Sequence, residues 1–173
     1  AQTRTLMEVP FTGAYLVLAG VALLAIVLMA WVQFPPHQPP TSQVHTGRSL
    51  AEIARQPAFL VACLSASMGY GVMNLLMAAT PLAMQQCGLS FDDAALVLEW
   101  HVIGMFAPGF FTGHLIKRFG TLPVMAVGLA LNLLCVAIAL SGLELQQFVV
   151  SLFLLGVGWN FLFTGSTTLA LSA

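Results

Sequence analysis

The stretch APGFFTGHLIKRFGTLP, residues 107–123, decides how the chain is to be read. An apolar run ends near Gly113, Lys117 and Arg118 stand side by side, Gly120 follows, and the apolar pattern resumes at Leu122. The chain holds only five Lys and Arg, so two of them on one short hinge need a reason. The runs on either side set the medium. Hydrophobic residues make up 59% of the chain and charged residues 6%, against about 25% charged in a soluble domain. That stock cannot cover a water-facing surface, and the solvent it fits is a lipid bilayer.

Outward from the hinge, the apolar runs fall into five spans. No charged residue occurs between Glu8 and Arg48, and the apolar part extends from Phe11 to Phe34. A second run covers Pro57 to Met84, and a third covers Ala94 to Ile116, interrupted by Glu99 and His101. A fourth covers Leu122 to Leu140, and a fifth runs from Phe148 to the end. Each is near or above the ~20 residues that carry a helix across ~30 Å of hydrocarbon. Lipid offers no partner to backbone N–H and C=O groups, so each run is predicted to be helical. Continuous runs exclude the alternating strands of a membrane barrel. The first run is too long for a signal-peptide core. The predicted fold class is all-α, a polytopic membrane bundle of five transmembrane helices.

The connections agree with this reading. In CGLSFDD, residues 87–93, a glycine turn precedes Ser90 and Asp93 at capping-box spacing. SGLELQQ, residues 141–147, reads as a tight polar hairpin. The long connector over 35–56 opens with a proline cluster that favours extended geometry. It continues with a second capping pair, Ser49 and Glu52. Leu50, Ile53 and Ala54 share a face there, which predicts a short interfacial helix. Five spans place Arg48, Arg55, Lys117 and Arg118 on one side and Arg4 on the other. Loops rich in Lys and Arg stay in the cytoplasm, so Lys117 and Arg118 anchor a cytoplasmic hairpin and the N-terminus faces outward. An odd span count, a first residue other than Met and an end inside an apolar run predict a piece of a larger membrane protein.

Other function classes lack their residues. The net charge is −1 and no basic patch suits nucleic acid. Cys63, Cys87 and Cys135 lie far apart without a CxxC pair, so no metal site and no disulfide is predicted, and they read as packing residues. His101 and His114 point about 220° apart around a helix, which disfavours paired haem ligation. No GxSxG nucleophile motif and no pore loop occurs. No enzyme and no cofactor is predicted.

GHLIKRFGTLP, residues 113–123, resembles the second-half copy of the signature loop of the major facilitator superfamily. Gly113, Leu115, Ile116, Arg118 and Gly120 match, Lys117 stands where that signature has an acid, and Thr121 and Leu122 replace its trailing cations. LGVGWNFLFTGSTT, residues 155–168, resembles the tenth span of bacterial members. The resemblance implies a twelve-helix fold of two halves. Residues 1–34 would hold the last helix of the N-terminal half, residues 35–56 the cytoplasmic interdomain connector, and residues 57–173 the first four helices of the C-terminal half. It implies secondary transport of a small organic solute by alternating access, coupled to an ion, in the bacterial inner (plasma) membrane. The expected partners are then a small-molecule substrate, the lipid bilayer and the missing remainder of its own chain. Gly113, Lys117, Arg118 and Gly120 would form the cytoplasmic gating hinge. The rival reading is a multi-span structural or assembly protein that transports nothing.

Polar groups deep in lipid are costly and mark candidate sites. Glu99 and His101 are candidates for ion coupling, although they point about 200° apart on their helix. His101, Met105, Pro108 and Thr112 form one helical stripe that either lines a cavity or packs as a seam. Pro108 is predicted to bend its span. Gly109 and Gly113 form a GxxxG pair suited to close helix approach. In GYGVMN, residues 69–74, the glycines are expected to loosen the second span, and Tyr70 and Asn74 share a face that suits a solute. Trp159 and Asn160 are an aromatic–amide pair that suits an organic substrate or simple packing. The candidate solute-lining set is therefore Tyr70, Asn74, His101, Met105, Trp159 and Asn160. Asn132 reads as interhelical glue.

Overall fold

A computed structural model describes residues 12–32 and 49–172. Most of the 35–56 connector, with Arg48, and the N-terminal segment with Arg4 lie outside the described residues. The described residues fold entirely as helices, and the chain divides into two compact units, residues 1–47 and 48–173. The first unit contributes α1, Thr12–Trp31. Its 20 residues give about 30 Å of helix, enough to cross the hydrocarbon. Apolar side chains such as Tyr15, Leu23 and Trp31 stand exposed around it, as lipid contact requires.

The second unit holds six helices: α2 (Leu50–Ala54), α3 (Pro57–Gln86), α4 (Phe91–Phe106), α5 (Gly109–Phe119), α6 (Thr121–Ala139) and α7 (Leu145–Ser172). α1, α3, α6 and α7 are each long and apolar enough to span a membrane, and so are α4 and α5 when the pair, bent by 41°, is taken as one span. The break follows from Pro108. Proline brings no N–H for the carbonyl four residues back and crowds it, so α4 stops at Phe106 and α5 restarts at Gly109.

The predicted caps are present. Ser49 and Glu52 close a capping box on α2, and Ser90 and Asp93 close one on α4. Pro57 occupies the first turn of α3, where its missing N–H costs nothing. α3 ends in a Schellman turn at Gly88, φ 77°, with the Leu89 N–H bonded to the Met84 carbonyl at 3.0 Å. Gly120, φ 92°, ends α5 in a conformation that only glycine holds without strain.

α7 is the centre of the second unit and packs against α3, α4, α5 and α6. Its apolar window is 56% buried, against 22% for α6 and 17% for α3. Glycines let the neighbours approach. A Cβ at Gly156 would meet the His101 carbonyl of α4 at 2.5 Å, and one at Gly104 would meet the Phe153 carbonyl at 2.6 Å. Gly128 of α6 and Gly158 of α7 face each other in the same way, each Cβ falling 2.8 Å from the other's carbonyl. At the end carrying the α3–α4 turn, Met84, Val97 and Leu152 form a buried apolar cluster.

One expectation about glycine gives way here and another holds for one residue of its pair. GYGVMN does not interrupt the second span, because α3 runs unbroken through Gly69, Gly71 and Pro81. Glycine keeps its backbone N–H, so in lipid the intrahelical bonds still form. The GxxxG pair faces a neighbour through one member only: a Cβ at Gly109 would lie 3.6 Å from the Asn160 amide of α7, while one at Gly113 would meet nothing within 4 Å. It is Thr112 that turns fully inward, and the close backbone crossings belong to Gly104, Gly128, Gly156 and Gly158.

Candidate functional site

Two groups of side chains converge on the middle of α7, on different sides of it. The first is aromatic. Trp159 stacks on Phe163 one turn further along, with ring centroids 4.8 Å apart and planes 11° from parallel. Tyr70 of α3 leans on Trp159 at 6.2 Å and 53°. Trp159 is buried, while Tyr70 and Phe163 are 51% and 42% exposed. The indole therefore backs two rings that remain open to a ligand. Asn74 stands one turn beyond Tyr70, also exposed, with its amide donating to the Tyr70 carbonyl at 2.9 Å. Its side-chain oxygen is an acceptor one turn from Tyr70. A planar solute with polar edges has both of its requirements met on this face.

The second group is polar and buried. Asn160 lies about 100° further round α7 from Trp159. Its amide nitrogen donates to the Met105 carbonyl at 2.7 Å, and its side-chain oxygen lies 2.7 Å from the Thr112 hydroxyl. The same hydroxyl lies 2.7 Å from the Pro108 carbonyl. In a continuous helix the Met105 carbonyl would take the N–H of residue 109. At the proline break Asn160 supplies a donor instead, so α7 clasps the bend from outside. The stripe His101, Met105, Pro108 and Thr112 faces α7 along this seam.

His101 is fully buried, with Nδ1 2.7 Å from the Leu152 carbonyl. A carbonyl only accepts, so Nδ1 carries the proton and Nε2 is bare in the neutral ring. Nε2 is buried without a partner. Glu99 is exposed on the other side of α4, as the 200° separation requires. Asn132 packs its side-chain oxygen against Gly158 without a hydrogen bond to that oxygen. It lines a cleft of about 460 Å³ between α3 and α6, together with Ser65, Met68 and Leu162.

At the hinge, Lys117 and Arg118 fill the last turn of α5, where cations complement the helix dipole. The Arg118 guanidinium sits 5.4 Å from the centre of the Phe119 ring. Among the described residues no acid pairs with either cation, in keeping with Lys117 at the position of the signature's acid. Gly113 is exposed on α5, and Gly120 makes the turn into α6.

Sequence reasoning singled out Tyr70, Asn74, Trp159 and Asn160 but passed over Phe163. The i, i+4 spacing of Trp159 and Phe163 was a readable signal for an aromatic pair on one face. The partners of Asn160 were not readable, since they lie 48 and 55 residues away.

Comparison with known proteins places this arrangement in context. The chain is 40% identical over 166 residues to the riboflavin transporter RfnT of Brucella anthropi, covering 95% of this chain and 42% of that protein. Two uncharacterized MFS-type transporters of Bacillus subtilis also match. YddS is 29% identical across 90% of this chain and 37% of its own length, and YdeG is 35% identical across 57% and 23%. The chain thus spans less than half the length of these relatives. No solved structure matches. The Major Facilitator Superfamily pattern runs over residues 5–173. Taken with four to five apolar spans and a basic, glycine-ended hinge between α5 and α6, that match establishes that the chain belongs to the Major Facilitator Superfamily.

Proposed function

We propose that the whole protein is a secondary carrier for riboflavin or a closely similar planar heterocycle, working by alternating access in the bacterial inner membrane. The observation that carries this reading is the 40% identity to a riboflavin transporter across 95% of the chain. The aromatic face supports it independently of that likeness. Tyr70 and Phe163 offer exposed rings that each contact Trp159, and Asn74 adds an exposed amide one turn from Tyr70. Aromatic pairing of this kind contributes about 0.5–1.5 kcal/mol per contact beyond buried area.

On this reading Glu99 is the group that couples uptake to an ion gradient, since its carboxyl is exposed while the His101 Nδ1 is committed to a backbone carbonyl. The hinge of Gly113, Lys117, Arg118 and Gly120 gates the cytoplasmic side. The test is uptake of labelled riboflavin by the full-length protein in a bacterial strain that neither makes nor imports it. The expected result is saturable uptake that collapses with a protonophore. No uptake of riboflavin or of any flavin overturns the substrate, and a parent protein that moves no solute favours the structural role.

A further inference from the structure

We propose that Asn160 and Thr112 are positioning residues that set the bend between α4 and α5 and so link the aromatic face to the hinge; the proposal rests on the carrier reading above. Its basis is the accounting of donors and acceptors at Pro108. The Thr112 hydroxyl has one proton and two acceptors at the same 2.7 Å, the Pro108 carbonyl in its own helix and the Asn160 side-chain oxygen across the seam. Thr112 is fully buried and Asn160 is 7% exposed, so water does not substitute for either partner.

This geometry gives the seam two satisfied states. In the clasped state Asn160 holds the Met105 carbonyl and the Thr112 hydroxyl, and the span is bent. In the released state the Thr112 proton stays on the Pro108 carbonyl, and the Met105 carbonyl takes the Gly109 N–H that a straighter helix brings to it. The Met105 carbonyl and the Thr112 hydroxyl keep a partner in both states, and only the Asn160 amide gives up its bonds on release. Release therefore costs the seam one amide's bonds, and a ligand that acts on that amide shifts the balance between the two states.

The link to substrate is direct. Trp159 and Asn160 are consecutive residues on one turn of α7. A solute seated against Tyr70 and Phe163, both in contact with Trp159, fixes the rotation of that turn, and the amide one residue on is fixed with it. Thr112 precedes Gly113, and Lys117 and Arg118 follow within two turns of the same short helix. A change of bend at Pro108 therefore swings the basic end of α5. A ligand shifts such an equilibrium only through different affinities for the two states, and the shared turn supplies that difference.

The experiment uses the full-length protein in proteoliposomes, with Thr112→Val, Thr112→Ser and Asn160→Leu, each checked for a wild-type gel-filtration profile. Thr112→Val keeps the volume and removes the hydroxyl, and Thr112→Ser restores it. The expected result is a fall in maximal riboflavin transport of about three- to tenfold for Thr112→Val, the range of one interhelical hydrogen bond in a membrane. KM should change by less than about twofold, and Thr112→Ser should recover wild-type rates. A second readout needs no flavin: the labelling rate of Gly113→Cys in a cysteine-free background, a substitution for which the structure has open space. That rate should differ between wild type and Thr112→Val in substrate-free protein, and riboflavin should alter it only where the clasp is intact.

Wild-type turnover and unchanged labelling in Thr112→Val overturn the inference, and so does failure of Thr112→Ser to rescue. Absence of riboflavin transport by the wild type overturns the substrate reading alone. The inference is then decided by substrate-free labelling, where equal rates in wild type and Thr112→Val sink it. If Asn160→Leu does not fold, the Thr112 pair alone decides.

Discussion

The face formed by Tyr70, Trp159 and Phe163 divides labour among three rings. Trp159 is buried and structural in its immediate contacts, whereas Tyr70 and Phe163 are the rings a solute can reach. Tyr70→Ala and Phe163→Ala should each raise the KM for riboflavin about two- to tenfold with little change in maximal rate, as loss of one stacking contact requires. Equal loss of maximal rate with unchanged KM would place these rings outside the binding step. Tyr70, Asn74 and Trp159 were legible because aromatic and amide groups in a lipid-spanning run are few and stand out against Leu, Val and Ala. Phe163 was overlooked because it sits in an aromatic-rich segment, FLF at 161–163, in which only the fold selects the ring that stacks. Asn160 was legible as a polar outlier but not as a clasp. One of its partners is a backbone carbonyl made available by Pro108, and no side-chain pattern announces that.

Helices of this chain were easier to read than their contacts. Charge-free length settled the spans, and Ser–x–x–acid spacing settled the starts of α2 and α4. The bend at Pro108 was legible because proline removes a donor outright. The supposed weakening at Gly69 and Gly71 failed because glycine removes only a side chain, and a helix in lipid has nowhere else to place its hydrogen bonds. Crossing points were hidden for a related reason. Gly104, Gly128, Gly156 and Gly158 look no different in sequence from Gly71 or Gly113, yet only the first four carry another helix against them. Gly156→Ala should therefore lower stability by about 1–3 kcal/mol, since its new methyl would overlap the His101 carbonyl. Gly71→Ala should be neutral or stabilising by up to ~1 kcal/mol, because nothing lies within 4 Å. Thermal unfolding of the two purified full-length variants checks the contrast.

At the scale of the molecule, sidedness follows from very few cations. Cys87, exposed at the α3–α4 turn, should react with an impermeant thiol reagent added to intact cells. Arg55→Cys should react only after the membrane is opened. Labelling of both from one side would reverse or dismantle the topology. Arg118→Ala should slow turnover several-fold more than it alters KM, because a hinge acts on the conformational step. Unchanged turnover with weakened binding would remove Arg118 from gating. The central position of α7 reaches back to how the protein is made. The ribosome completes α7 only after α3, α4, α5 and α6 have left it. Until then the His101 ring, the Met105 carbonyl and the small-residue notches at Gly104 and Gly128 have no occupant. A nascent chain arrested ahead of Leu145 should therefore linger beside the translocon, shielded by insertion factors, and degrade readily if released into lipid unfinished.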